Sequence, residues 1–90
     1  MSAPLPLPLG RVVWTPGALD TFTPDILGSC LARHQSGDWG DVSEDDRKAN
    51  DEAARSGGGF MSSYDIRGDK LWVITEADRS STCLLLPSDY

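Results

Sequence analysis

Basic residues, cysteine and histidine are all scarce in this chain of 90 residues, and each scarcity removes a class of function. Eight Lys and Arg stand against 14 Asp and Glu, for a formal net charge of −6. The bases are scattered singly apart from Arg47–Lys48, so no basic stripe offsets phosphate charge, and direct binding to nucleic acid or an anionic membrane is not expected. Cys30 and Cys83 are the only cysteines, without metal-ligand spacing and too few for a secreted disulfide scaffold. They read as two reduced, buried small hydrophobes, with a disulfide between them as the alternative. His34 is the single histidine, with no second His to complete a metal site or an acid–base pair. No apolar run approaches the ~20 residues of a membrane span. The opening MSAPLPLPLG has no basic n-region and does not read as a signal peptide, so a cytoplasmic protein is expected.

What is present suits one small folded domain. Hydrophobic residues make up 39% and charged residues 24%, too apolar for a fully disordered chain. Residues 1–8, with Pro4, Pro6 and Pro8, predict a flexible Pro-rich arm, and residues 9–90 a single domain. Arg11-Val12-Val13-Trp14 reads as a short strand stopped by Pro16-Gly17. Thr15-Pro16 fits a cap with proline at the first helical position, which allows a helical turn from Gly17 to Phe22. Thr23-Pro24-Asp25 repeats that signal and opens a better helix, with Ile26, Leu27, Cys30, Leu31 and His34 on one face. Arg33 and His34 suit its C-terminal dipole, and Gly37 ends it. Ser43-x-x-Asp46 resembles a capping box and predicts a helix over about 44–55 whose only apolar residues are Ala49, Ala53 and Ala54.

Beyond Gly57-Gly58-Gly59 the pattern turns to strands. Phe60–Ile66, Leu71–Thr75 and Thr82–Leu86 are separated by turns at 67–70 and 76–80. These elements predict an α+β domain in the order β-α-α-β-β-β. Its antiparallel sheet would have three to four strands, with two helices packed on one face. The turn at 76–80 reads as turn chemistry, with Asp78 bonding backbone amides and Arg79 pairing with a carboxylate, or as a presented binding tip.

Charge is concentrated in one place. The stretch 38–52, DWGDVSEDDRKANDE, carries seven acids against two bases, a net of −5. On a helical projection Glu44, Asp45, Asp51 and Glu52 share an arc of roughly 120°, with Lys48 and Arg55 inside it. The bland reading is a solvated helix face laced by i,i+4 pairs. The functional reading is a docking face for a basic partner, with Asp38 and Asp41 extending it and Trp39 as its apolar anchor. Trp39 reads equally as a loop tryptophan folded back onto the core. The acids do not reproduce EF-hand ligand positions, so neither a metal nor a cofactor is expected.

Gly37-Asp38-Trp39-Gly40-Asp41, Trp72-Val73-Ile74-Thr75-Glu76-Ala77-Asp78-Arg79-Ser80 and Leu84-Leu85-Leu86-Pro87 together carry a resemblance. Over about residues 9–90 the chain resembles a family of small proteins from bacterial plasmids and integrative elements, with TPGAL, ARHxxGDWGD and WxITEADRSxTxxLLPxxY at these intervals. Members are labelled "plasmid-related" or, at times, a type I restriction methylase subunit. A methyltransferase would need a cofactor domain several times this size and an Asn-Pro-Pro-aromatic motif, which is absent here. The resemblance implies a mobile genetic element as context, with no particular chemistry.

Charge and implied context together lead to a non-enzymatic protein that inhibits a host defence complex, of the anti-CRISPR or anti-restriction class. Asp38, Trp39, Asp41, Glu44, Asp45, Asp51 and Glu52 would occupy a basic nucleic-acid-binding surface as a DNA mimic. The alternatives are a regulatory or antitoxin-like partner of another element-encoded protein, and a homodimer formed through the exposed edge of the meander.

Overall fold

A computed structural model describes residues 6–90. Its elements are β1 (Arg11–Trp14), α1 (Pro16–Thr21), α2 (Pro24–Gln35), α3 (Glu44–Ser56), β2 (Phe60–Ile66), β3 (Asp69–Thr75) and β4 (Ser81–Leu85), with a closing 3₁₀ turn (Pro87–Asp89). The fold is α+β. Each helix starts where a hydroxyl can satisfy an orphan amide: Thr15 accepts from Ala18, Thr23 from Ile26 and Ser43 from Asp46.

The sheet departs from the antiparallel expectation. Its order is β1-β4-β3-β2, with β2–β3 and β3–β4 antiparallel but β1 parallel to β4. Three helices intervene between β1 and the meander, a connection long enough for a parallel pairing that no hairpin could make. The sheet is therefore mixed.

Register divides the sheet into two faces. Phe60, Ser62 and Tyr64 lie opposite Thr75, Val73 and Leu71, and Val73 and Thr75 lie opposite Leu84 and Thr82. All of these are buried, and Tyr64, Leu71, Val73 and Leu84 form the main core with Ala18, Phe22, Leu27 and Cys30 from α1 and α2. The other face carries the half-buried Met61, Trp72, Ile74 and Cys83. Cys30 and Cys83 therefore sit on opposite sides of the sheet, and both are free thiols. Burial raises the pKa of each.

Two further expectations change. The two helices that cover the inner face are α1 and α2, while α3 runs beside the edge strand β2. It lacks a broad apolar stripe, and Asn50 is its one buried residue, so it docks at an edge through hydrogen bonds and the small side chains of Ala53 and Ala54. The Pro-rich arm is only partly tested, because residues 1–5 lie outside those described. Leu7, assigned to that arm, is instead buried in a second cluster with Trp39 and Phe60. Its amide donates to the Gln35 carbonyl, and Gln35 Nε2 donates back to the Leu7 carbonyl, each at 3.0 Å.

Candidate functional site

The acidic stretch begins where α2 ends. Gly37 takes a positive φ there, and the Asp38 amide donates to the Arg33 carbonyl at 2.9 Å, closing the helix. Arg33 then grips the Asp38 carboxylate, Nε to Oδ2 at 2.8 Å and Nη2 to Oδ1 at 3.3 Å. That bond holds the Asp38 carboxyl below the usual carboxylate range. The Asp38 carbonyl accepts the Tyr64 hydroxyl at 2.6 Å, and burial pushes the Tyr64 pKa up to about 12.

Trp39 is 4% exposed, so it cannot anchor an interface. Its ring packs on Phe60 at 5.2 Å and edge-on to His34 at 5.7 Å, and Nε1 donates to Asp51 Oδ1 at 2.8 Å. An indole brings much apolar area into a small core, and its N–H needs an acceptor once buried. Of its two readings, the loop tryptophan folded onto the core is the one found.

The residues after it seal the outer edge of β2. Gly40 bridges to Ser63, with the Ser63 amide donating to Trp39 O at 3.0 Å and the Asp41 amide to Ser63 O at 2.6 Å. Asp41 Oδ2 accepts the Asp65 amide at 3.0 Å. Two residues back, Asn50 serves the same strand from α3, accepting the Met61 amide at 3.1 Å and donating to its carbonyl at 2.7 Å. An edge that would otherwise invite another strand is occupied at Met61, Ser63 and Asp65. The outer edge of the meander, where a homodimer was expected to form, is thus occupied by the chain's own groups.

On α3 itself, Arg47 pairs with Glu44 and lies 3.6 Å from Asp51 Oδ2, and Arg55 pairs with Glu52. Asp45 forms no ion pair among the described residues. Of the seven residues assigned to a partner, three do fold work: Asp38 as a clamp, Trp39 as core, and Asp41 as an edge cap. Asp51 is divided between Trp39 and Arg47. Glu44, Asp45 and Glu52 face solvent, interleaved with Lys48 and Arg55.

His34 lies on the inward face of α2, as its spacing with Leu27 and Cys30 predicts, but it is fully buried beneath the sheet and does not act as a cap. A chain of hydroxyls runs through it, and the direction of that chain follows from its last member. The Leu9 carbonyl can only accept, so Thr82 donates its one proton there at 2.8 Å. Thr75 must then donate to Thr82 Oγ1, 2.7 Å away, which leaves Thr75 Oγ1 to accept from His34 Nε2–H at 2.8 Å. The bare Nδ1 accepts the Ser62 hydroxyl at 2.6 Å. His34 is thus the neutral Nε2–H tautomer, its pKa lowered to about 4 by burial. The alternation Ser62, Thr75, Thr82 on an otherwise apolar inner face was the available signal, since three hydroxyls there require a polar partner.

A serine hydroxyl on a histidine nitrogen suggests nucleophilic catalysis. Here Ser62 and His34 are both fully buried, and a hydroxyl rather than a carboxylate orients the ring. No substrate atom can reach Ser62 Oγ, so the pair is a core element.

Arg79 also departs from expectation. Among the described residues it pairs with no carboxylate; its guanidinium donates to Gly58 O at 2.7 Å, Ala77 O at 3.0 Å and Ala53 O at 3.1 Å, and lies 4.8 Å above the Phe60 ring. A cation at the carbonyl end of α3 suits its dipole and ties the β3–β4 turn to that helix. Asp78 does bond a backbone amide, that of Ser80, at 2.9 Å.

Among the described residues no group of three or more His, Cys, Asp or Glu converges on a metal-sized site. No helix among them is long and apolar enough to cross a membrane. No protein-family model, curated protein or solved structure matches the chain.

Proposed function

We propose that this chain is a non-enzymatic binding protein whose solvent-facing α3 acids engage a basic surface on a host defence complex, a CRISPR effector or restriction complex, and inhibit it. The observation that supports this reading most is the division of labour on α3. Asn50, Ala53 and Ala54 hold the helix against β2 and the Trp39 cluster, while Glu44, Asp45 and Glu52 are left to solvent. The resemblance to small mobile-element proteins supplies the biological setting. Lys48 and Arg55 within the acidic arc make partner selection and electrostatic steering its physical role, in place of a full imitation of a phosphate ladder. The protein would act in the cytoplasm, where such complexes work.

The test is capture from a bacterial lysate containing both kinds of complex, washed at low and high salt, using the native chain and a double variant Asp45→Lys, Glu52→Lys. These side chains hold no core contact, so circular dichroism should match the native spectrum. The reading expects a nucleoprotein complex kept at low salt, shed at high salt and lost with the variant. Undiminished capture and inhibition by the variant removes the acidic face from the function. Recovery of one small element-encoded protein in its place supports the antitoxin-like alternative.

A further inference from the structure

The sheet has two edges, and the fold treats them differently. The β2 edge is sealed, as described above. Among the described residues no strand pairs with the outer edge of β1. The Arg11 amide donates to Ser80 O and the Thr15 amide to Leu84 O, each at 3.0 Å. Strand alternation therefore directs Arg11, Val13 and Thr15 at β4 and turns the amides and carbonyls of Val12 and Trp14 outward.

Apolar exposure gathers at the same place. Of the four large apolar side chains exposed among the described residues, Trp14 (50%), Val13 (39%) and Leu19 (46%) belong to β1 or the helix that follows it, the fourth being the terminal Tyr90 (86%). Val12 and Trp14 lie opposite Thr82 and Leu84 and so share the inner face. With Leu19, Leu27, Leu31 and Leu84 they line an apolar cleft of about 180 Å³.

We propose that β1 pairs antiparallel with β1 of a second copy, on a two-fold axis through Val13, joining two sheets into one. In this register Val12 faces the second copy's Trp14, and each outward amide meets an outward carbonyl, so the edge is complementary to itself. Val13 faces its own counterpart on the axis. On the inner face the incoming Trp14 lies over Val12 at the mouth of the cleft, an aromatic to β-branched pair.

Charge agrees with that register. Arg11 is exposed and forms no ion pair among the described residues. It would face the second copy's Thr15, whose hydroxyl donates to Asp89 Oδ2 at 2.6 Å. Each Arg11 is thereby brought to the other copy's Asp89, twice by symmetry. Length also favours a second copy over a longer foreign strand. Gly10 at φ +64° turns the chain away before β1 and Pro16 opens α1 after it, so the edge offers nothing beyond Val12 and Trp14.

Analytical ultracentrifugation across a wide concentration range tests the pairing, together with Val13→Lys and Val13→Glu variants. The native chain is expected to shift from one chain mass toward two, with slowed Val12 and Trp14 amide exchange in the heavier species. Each variant alone places like charges face to face on the axis and should raise the dissociation constant roughly tenfold or more. An equimolar mixture of the two should recover the dimer, while circular dichroism of each matches the native chain. A native chain that stays at one mass at every concentration overturns the proposal. So do variants that dimerise as well as the native chain, or a mixture that fails to recover the dimer.

Discussion

Acidification should expose the cost of burying His34. The unfolded chain takes up a proton near pH 6.5, whereas the folded chain resists it until about pH 4 because the ring is buried and its Nε2 proton already lies on Thr75. A histidine whose folded pKa lies below its unfolded value contributes fully above 6.5 and loses that contribution as pH falls towards 4. The stability slope in this window should approach ~1.4 kcal/mol per pH unit, and the full loss should be about 3 kcal/mol. Asp38, held below the ordinary carboxylate range by Arg33, loses its contribution at lower pH still, so the two windows separate.

Urea unfolding at intervals from pH 7.5 to 4 measures the slope. Because the chain has one histidine, its imidazole NMR signals report the folded midpoint without assignment. Nitrogen shifts should also identify the Nε2–H tautomer dictated by the Leu9–Thr82–Thr75 chain. His34→Gln, less stable throughout, should lose the slope between 6.5 and 4. A native midpoint near 6.5, an Nδ1–H tautomer, or an unchanged slope in the variant would refute the assignment.

The edge seal yields two more predictions. At Gly40 a Cβ would lie 2.2 Å from the Ser63 carbonyl with φ at +74°, whereas at Gly37, φ +86°, nothing lies within 4 Å. Gly40→Ala should therefore cost more than ~3 kcal/mol and Gly37→Ala only ~1 kcal/mol, read as denaturant midpoints; equal losses would contradict the close approach. Asn50→Ala leaves the Met61 amide and carbonyl to find water, and should cost about 2 kcal/mol and speed amide exchange at Met61 while leaving Val73 in the core protected. A uniform change across β2 and β3 would mean that Asn50 supports the whole fold rather than its edge.

The elements were legible in the sequence because their signals are local. Thr15, Thr23 and Ser43 announce three helix starts, and alternation around Trp72 and Val73 announces the central strand. Strand direction was not legible, because the parallel pairing of β1 with β4 depends on where a long helical connection delivers the chain. The same limit explains the misreadings of individual side chains. Arg79 looked like half of an ion pair, but its partners are main-chain carbonyls from residues 53, 58 and 77, which have no sequence signature. His34 looked like a cap because its helix position was visible and the hydroxyls of Ser62 and Thr75 were not. Acidity was plain to count, yet counting could not reveal that Asp38 and Asp41 serve Arg33 and β2.

These placements bear on what the motifs mean. In ARHxxGDWGD, Arg33 clamps Asp38, His34 joins the core hydroxyls, Trp39 fills the second cluster, and Gly40 and Asp41 close the β2 edge. In WxITEADRSxT, Thr75 and Thr82 continue the hydroxyl chain, Asp78 shapes the turn and Arg79 fastens it to α3. Each of these residues answers a demand of this fold, so a likeness confined to them speaks to architecture and leaves the partner open. The two proposed surfaces, the outward acids of α3 and the β1 edge with Trp14, lie outside these two motifs. The two surfaces can be varied independently, since charge reversal at Asp45 and Glu52 touches no strand and a lysine at Val13 touches no helix acid. Loss of capture from the first change and loss of dimer from the second would assign one surface to the target and the other to self-association.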